Sequence, residues 1–189
     1  TALGEKYDPE VLRGALERYF DLVQATVERH GGRVEKYVGD AVNGVFGLPA
    51  AHEDDALRAV RAGMEIQAGL AGLAATSMVP IAARVGIHTG EVLAPGTGRP
   101  LIGDTMNTAS RLQSSAEPGS VIIGEPTFRL VRDAVVAEPV EPLVLKGKSE
   151  PVRIFHAKSP RARFGTDVTR THNTPFIGRE IDSPSRIDS

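Results

Sequence analysis

The chain has 189 residues, 41% of them hydrophobic and 24% charged, which is the composition of a globular domain with a buried core. Its 22 Lys and Arg against 24 Asp and Glu give a net charge of −2, so charge does not predict binding to nucleic acid or to an anionic membrane. Cysteine is absent, which excludes disulfides, thiolate metal sites and a cysteine nucleophile, and fits a cytoplasmic location. No apolar run reaches the roughly 18 residues of a membrane span.

The first predicted element is a helix over residues 8–30. Asp8 suits the N-cap, Pro9 suits the first turn, and the glycine pair at 31–32 can end the helix. Apolar residues at three- and four-residue spacing predict one buried stripe, formed by Leu12, Leu16, Tyr19, Val23 and Val27.

A β-hairpin is predicted over residues 33–46. Two short apolar runs flank Gly39 and Asp40, an arrangement typical of a tight hairpin turn. Aspartate is common in turns for ordinary backbone reasons. The hairpin alone therefore leaves open whether the Asp40 carboxylate faces solvent, its own backbone or a metal ion.

The remaining segments alternate between helix and strand. A helix is predicted from about Glu53 to Leu70, and a third helix is predicted over residues 103–116, capped by Asp104 or Thr105. The β-like segment between them contains Gly86 and Gly90, which often mark bulges or close backbone approach. A short strand, a short helix and a terminal hairpin follow, over residues 119–124, 125–133 and 142–157.

This order predicts an α+β fold, with a mixed, mainly antiparallel sheet and helices packed over one face. From about Lys158 the sequence becomes polar, rich in Ser, Thr, Arg and Pro, and without periodicity. We therefore expect residues 158–189 to form a linker and tail without a packed core of their own.

The third helix carries the pattern with the clearest chemical potential. Asn107 and Arg111 are four residues apart and share one helical face. Asn107 also falls in the first turn, where free N–H groups and the helix dipole favour an anion. An amide and a guanidinium displayed together can hold a phosphate whose negative charge is growing. From spacing alone, a solvated polar face remains the stronger alternative.

Other polar residues are weaker candidates. Lys146 and Lys148 lie near a predicted hairpin turn and could reach a polyphosphate, but turn lysines are usually solvated. Lys36 is four residues before Asp40, and its ordinary interpretation is an exposed strand lysine. His88 has no second histidine or carboxylate at ligand spacing, which favours a structural role over a metal ligand.

Six segments together carry a family resemblance that none of them carries singly. In order along the chain they cover residues 31–49, 52–63, 84–92, 103–112, 116–133 and 142–155. Over residues 1–157 the sequence resembles the catalytic domain of class III adenylate/guanylate cyclases. It is most similar to bacterial members in which this domain precedes an ATPase module, because residues 174–180 resemble the string that opens that module. The resemblance implies a ferredoxin-like α+β nucleotide cyclase fold.

The resemblance also implies roles for single residues. Asp40 matches an aspartate that binds one or both of two divalent cations, Mg²⁺ or Mn²⁺. Asn107 and Arg111 match the pair that holds the α-phosphate and stabilises the transition state. Lys146 matches a lysine near the triphosphate, and Lys36 matches the lysine that reads adenine. The implied reaction converts ATP to cyclic AMP and pyrophosphate, with GTP as the alternative substrate, at a site shared by a head-to-tail homodimer.

The sequence departs from the family pattern at three points. A first metal-binding aspartate, at the end of a central strand, would lie five residues before Thr1. Pro100 occupies the position that usually completes base selection, and Asn43 replaces an apolar residue of the second hairpin strand. We therefore expect very weak or no cyclase activity from this chain itself.

Two alternatives to a catalytic domain remain. One is a catalytically inactive regulatory or dimerisation module of cyclase ancestry. The other is an unrelated α+β interaction domain, which the shared order of six segments disfavours. In a shared catalytic site, Asp40 and Arg111 of one chain should lie too far apart to bind one phosphate. Lys36 and Asp40 should likewise serve opposite sites, since side chains alternate along a strand.

Overall fold

The computed structural model describes residues 7–93, 101, 103–144 and 151–161. The helices and strands follow each other in the order predicted from the sequence. They are α1 (Pro9–Arg29), β1 (Arg33–Val38), β2 (Ala41–Val45), α2 (Asp55–Thr76), β3 (Val85–Ile87), α3 (Asp104–Ser115), β4 (Val121–Gly124), α4 (Glu125–Val131), β5 (Val135–Leu143) and β6 (Val152–Pro160).

Helix α1 begins and ends at the predicted signals. The Asp8 side chain accepts a hydrogen bond from the backbone N–H of Glu10 at 2.9 Å, which satisfies one of the free donors of the first turn. Beyond the last residues of α1, Gly31 has a φ of +76°, a left-handed conformation that glycine adopts without steric cost. Arg58 of α2 then donates to the backbone carbonyl of His30 at 3.2 Å, tying the end of α1 to α2.

The predicted hairpin is confirmed, with Asp40 at its tip. Strands β1 and β2 pair antiparallel, and Val38 is opposite Ala41, so Gly39 and Asp40 form a two-residue turn. Gly39 has a φ of +63° and Asp40 does not have a positive φ. Glycine at the first of two turn positions is the pattern of a type II′ turn, whose twist matches that of the flanking strands.

The main sheet has four strands in the order β3-β4-β6-β5, and the β1–β2 hairpin forms a second sheet of two strands. Strands β3 and β4 are parallel, whereas β4–β6 and β5–β6 are antiparallel. The predicted α+β fold with a mixed, mainly antiparallel sheet is therefore confirmed.

The expectation that the helices cover one face is wrong. Consecutive residues of a strand point to opposite faces, and all four residues of β4 are buried. Ile123 packs with Val60 of α2 in one core cluster, whereas the neighbouring Ile122 packs with Leu112 of α3 in another. Helix α3 thus lies on the face opposite to α2, and the sheet is covered on both sides.

Three predicted boundaries also need correction. Helix α2 continues beyond Leu70 to Thr76 through a run of Ala and Gly residues. The N-cap of α3 is Gly103, so neither Asp104 nor Thr105 is the cap. Strand β5 begins at Val135, seven residues before the predicted terminal hairpin. No helix in the described ranges is long and apolar enough to cross a membrane.

A cavity of about 560 Å³ lies where the hairpin faces β3. We call it the β2–β3 cavity, because residues of both strands line it, together with residues of all three long helices. Leu12 and Leu16, predicted to belong to the buried stripe of α1, are only half-buried because they border this space.

Candidate active site

Asp40 is exposed at the hairpin tip, and it borders the β2–β3 cavity beside Tyr19 of α1. Burial raises the pKa of the Tyr19 phenol above its ordinary value, and the negative charge of Asp40 raises it further. The charge of Asp40 is thus felt on the α1 side of the tip. Tyr19 therefore remains protonated at neutral pH.

Contacts with α1 hold the hairpin in position. Phe20 of α1 and Tyr37 of β1 pack edge to face with ring centroids 5.2 Å apart. The Tyr37 hydroxyl donates to the side-chain carbonyl of Gln24 at 2.9 Å. Because the hairpin turn has two residues, anchoring β1 in this way also fixes the position of Asp40.

Asn107 and Arg111 are both exposed on α3. The opposite side of the helix, with Thr108 and Leu112, is buried against the sheet. Asn107 is the fourth residue of the helix and lies at the end of its first turn. The structure therefore displays an amide at the end of the first turn and a guanidinium one turn further along the same face of the helix.

The start of α3 is fixed by the segment that follows β3. The Thr105 hydroxyl donates to the backbone carbonyl of Glu91 at 2.8 Å. A β-carbon added to Gly90 would lie 2.6 Å from that hydroxyl oxygen. The sequence indicated close approach at Gly86 and Gly90, and the structure confirms it at both positions. The partner of Thr105 was missed, because a side-chain bond to a carbonyl 14 residues away leaves no local pattern.

The structure places the candidate residues on different elements. Asn107 and Arg111 share one surface, whereas Asp40 borders the cavity, whose lining includes neither of them. Lys36 is exposed on β1, in register with the half-buried Asn43 of β2. Lys146, Lys148, Pro100 and residues 162–189 lie outside the described residues.

His88 lies against the end of β4. Its Nδ1 atom packs against Gly124 at the end of β4, where an added β-carbon would lie 2.4 Å away. Within the described part of the chain, no three His, Cys, Asp or Glu side chains cluster in a way that could hold a metal ion.

Comparison with known proteins identifies the family. The model of the adenylate and guanylate cyclase catalytic domain matches residues 1–157. The chain belongs to this family. The cyclase domain is thus the part of the chain that contains every described helix and nearly every described strand residue.

Sequence relatives agree with this assignment. The chain is 28% identical over 190 residues to adenylate cyclase 1 of Rhizobium meliloti, covering 94% of the chain and 27% of that protein. It is 32% identical over 167 residues to an uncharacterized Mycobacterium tuberculosis protein, covering 86% of the chain and 40% of that protein. The chain therefore spans less than half the length of either relative.

Solved cyclase structures share the fold. The catalytic core of a rhodopsin-guanylyl cyclase with converted specificity, in complex with ATPalphaS, superposes with a TM-score of 0.77 at 27% identity. That match covers 85% of this chain and 89% of the other. The adenylyl cyclase CyaB from P. aeruginosa gives a TM-score of 0.75 at 29% identity, covering 85% and 88%. These matches confirm the nucleotide cyclase fold.

Proposed function

We propose that this cyclase domain acts on ATP, producing cyclic AMP and pyrophosphate, in the cytoplasm and at a site shared by two head-to-tail chains. The observation that carries the proposal is the exposed Asn107–Arg111 pair on one face of α3, in a chain of the cyclase family. A relative named adenylate cyclase and a structural neighbour crystallised with ATPalphaS support ATP as the nucleotide. GTP is the alternative substrate.

In the proposed reaction, the ribose 3′-oxygen attacks the α-phosphorus of the same nucleotide. A new O–P bond forms, the bond from the α-phosphorus to the bridging oxygen breaks, and pyrophosphate leaves with that electron pair. The 3′-hydroxyl proton is lost to water. Negative charge increases on the α-phosphate oxygens, and Arg111 and Asn107 are the groups that would donate to them.

Asp40 is proposed as one ligand of the divalent cations Mg²⁺ or Mn²⁺. Such cations, when bound, lower the pKa of the attacking hydroxyl and neutralise charge on the leaving oxygens. Carboxylate oxygens are the ligands that both ions prefer. One carboxylate cannot offset the mutual repulsion of two dications, so the chain on its own is expected to have very weak or no activity.

Two lysines complete the proposed substrate contacts. Lys36 is exposed on β1, where it can reach a nucleotide base, and we assign it to adenine recognition. Lys146, by its match to the family pattern, is assigned to the triphosphate. Neither assignment depends on the pair on α3, so each can be tested separately through the Michaelis constants for ATP and GTP.

The placement of Asp40 and of the α3 pair on different elements is consistent with a site shared by two chains. Asp40 lies at the hairpin tip beside α1, whereas Asn107 and Arg111 point outward from a helix on the far face of the sheet. One nucleotide is more readily bound by both groups if each comes from a different chain. The related cyclase structures include a dimeric guanylyl cyclase domain, although that form is described as non-canonical.

The test measures cyclic AMP and cyclic GMP formed from ATP and GTP with Mn²⁺. An upstream extension of the chain that restores the expected first aspartate should give activity that Asn107→Ala and Arg111→Ala each lower by about 10²–10³-fold. The thermal stability of Asn107→Ala should be unchanged, because this side chain is exposed. An extended chain that binds nucleotide but forms no cyclic product would instead indicate a regulatory module.

A further inference from the structure

The two faces of the β1–β2 hairpin have different environments. One face packs on α1 and α2, because Val34, Val42 and Phe46 belong to one hydrophobic cluster with residues of both helices. Side chains alternate along a strand, so Asn43, which follows Val42, points to the other face. Lys36 of β1 is directly opposite Asn43 and therefore shares that face. Asn43 thus lies outside the packed side of the hairpin.

The free face of the hairpin lies on the same side of the molecule as α3. Helices α1 and α2 form one layer, since Val27 of α1 and Ile66 of α2 belong to the cluster that covers the hairpin. Helix α2 also covers one face of the main sheet, and α3 lies on the opposite face. The hairpin face with Lys36 and Asn43 and the helix with the proposed phosphate-binding pair therefore both lie away from the α1–α2 layer.

The fold does not use the side-chain amide of Asn43. This side chain is half-buried, and it makes no hydrogen bond within the described part of the chain. Asparagine is also a poor strand former, so neither packing nor propensity explains its presence at this position. Directly opposite residues of an antiparallel pair have β-carbons about 4.5–5.5 Å apart. The amide of Asn43 and the ammonium of Lys36 can therefore contact one planar ligand.

We propose that Asn43 is the residue that selects adenine over guanine, beside Lys36 on the same base. This inference rests on the proposed function, since it needs a purine nucleotide bound against the free face of the hairpin. The ammonium of Lys36 has only hydrogen-bond donors. A lysine alone favours guanine, whose O6 and N7 atoms both accept. Lys36 by itself therefore does not account for a preference for ATP.

The amide of Asn43 supplies the acceptor that a lysine lacks. Adenine presents a donor, its N6 amino group, next to an acceptor, its N7 atom. An asparagine matches both, because its oxygen accepts from N6 while its nitrogen donates to N7, a pairing that recurs in the recognition of adenine. Guanine presents two acceptors along the same edge, so the asparagine oxygen has no donor to bond there. The residue at position 43 thus decides which purine is bound more tightly.

The experiment measures the binding of ATP and GTP to the full 189-residue chain, by competition with a ribose-labelled fluorescent ATP in the presence of Mn²⁺. The parent chain should bind ATP more tightly than GTP. Asn43→Leu should reduce the ratio of the two affinities by about five- to a hundredfold, mainly through weaker binding of ATP. Asn43→Gln keeps an amide and should retain part of the preference.

Asn107→Ala is the matched control for Asn43→Leu. It also removes an asparagine amide, but from the group assigned to the α-phosphate, which ATP and GTP share. It should weaken the binding of both nucleotides alike and leave their ratio unchanged. The urea midpoint of Asn43→Leu should be no lower than that of the parent, because the lost amide has no partner within the described residues. A changed ratio then reports recognition of the base rather than unfolding.

The outcomes separate this inference from the proposed function. An ATP preference that is lost in Asn43→Leu, in a chain that forms no cyclic product even when extended upstream, would contradict the proposed cyclisation and support the role of Asn43. A parent chain that binds ATP and GTP equally, or that binds neither, would overturn the role of Asn43. An unchanged ratio of affinities in Asn43→Leu would overturn it as well, even if the extended chain is an active cyclase.

Discussion

Gly86 of β3 packs directly against the backbone of α3. A β-carbon at this position would lie 2.3 Å from the amide nitrogen of Gln113 and 2.4 Å from the carbonyl oxygen of Ala109. Both obstructing atoms belong to a helix backbone that cannot rotate away. The distance between β3 and α3, and with it the position of Asn107 and Arg111, depends on the missing side chain of one glycine.

The first prediction follows from this contact. Gly86→Ala should lower the free energy of unfolding by about 1–3 kcal/mol, because the helix must shift to admit the methyl group. The measurement is the urea midpoint with an unchanged m-value. Gly72→Ala is the matched control, since Gly72 lies in α2 with nothing within 4 Å of an added β-carbon. Gly72→Ala should raise the free energy of unfolding by about 0.5–1 kcal/mol. Equal destabilisation by Gly86→Ala and Gly72→Ala would contradict the packing of Gly86 against α3.

The second prediction concerns Arg58, which links the start of α2 to the end of α1. Its guanidinium contacts Asp55 and Asp54 and donates to the carbonyl of His30 at 3.2 Å. Arg58→Met keeps much of the apolar stem of the side chain but removes its positive charge. The carboxylate of Asp55, which is only 15% exposed, then loses its ion-pair partner. Loss of a partner at a mostly buried group costs about 1–3 kcal/mol.

Arg13→Met is the control for Arg58. The ion pair of Arg13 with Glu17 is 3.6 Å long and both side chains are largely exposed. Exposed ion pairs on a helix contribute about 0.3–0.5 kcal/mol to the free energy of unfolding. Arg13→Met should therefore unfold at nearly the same urea concentration as the parent chain. A stability loss for Arg58→Met no larger than that for Arg13→Met would show that the link does not stabilise the fold.

The third prediction is a pH dependence at Glu65 of α2. A hydrogen bond from His30 lowers the pKa of this carboxyl below its ordinary value of 4.5, and the charge of Arg29 lowers it further. The bonds are 2.7 Å to His30 and 2.5 Å to Arg29. At pH values between the folded and the unfolded pKa of Glu65, the folded state therefore binds fewer protons than the unfolded state. The stabilisation is complete above the unfolded pKa and is lost as pH falls through the folded one.

Glu65→Gln should accordingly flatten the loss of stability between about pH 5 and pH 3. The effect is modest, below about 1 kcal/mol, because the side chain is nearly half exposed. Urea unfolding at a series of pH values measures it, and Glu53→Gln, at an exposed carboxylate before α2, serves as the comparison. If Glu65→Gln and Glu53→Gln flatten the pH dependence equally, the effect comes from the net charge of the protein and not from the contacts of Glu65.

Local signals account for what could be predicted from the sequence. Asp8 and Pro9 mark the start of α1, and the glycine before Asp40 marks the hairpin turn, because caps and turns depend on neighbouring residues. The same reasoning placed Asn107 and Arg111 on one helical face. The predicted start of β5 lies seven residues after the true one, because Pro139 and Pro142 interrupt the strand pattern. An edge strand such as β5 nevertheless tolerates proline.

Features that depend on distant parts of the chain could not be predicted. Ile122 and Ile123 read as one apolar run, and only the packed structure shows that they face α3 and α2 respectively. The proximity of Tyr19 to Asp40 joins a helix to a hairpin tip 21 residues later, with no local pattern to indicate it. Leu12 and Leu16 fitted the buried stripe, but they border the β2–β3 cavity and are only half-buried.

A fourth prediction tests the shared site. In a chain extended upstream to restore the expected first aspartate, Asp40→Ala should abolish cyclase activity and Asn107→Ala should lower it by about 10²–10³-fold when each is purified alone. The two changes would remove different halves of each site. Mixing the two variants allows dimers in which one site has both an intact Asp40 and an intact Asn107.

The most direct measurement is the cyclase rate of that equimolar mixture, with mixed dimers demonstrated by mass spectrometry. Half of the dimers are mixed under random exchange, and each has one intact site of two, so the account predicts recovery of roughly a quarter of the parent rate. Absence of recovery despite mixed dimers, or a parent chain that is fully active as a monomer at high dilution, would contradict a site shared between Asp40 of one chain and Asn107 of its partner.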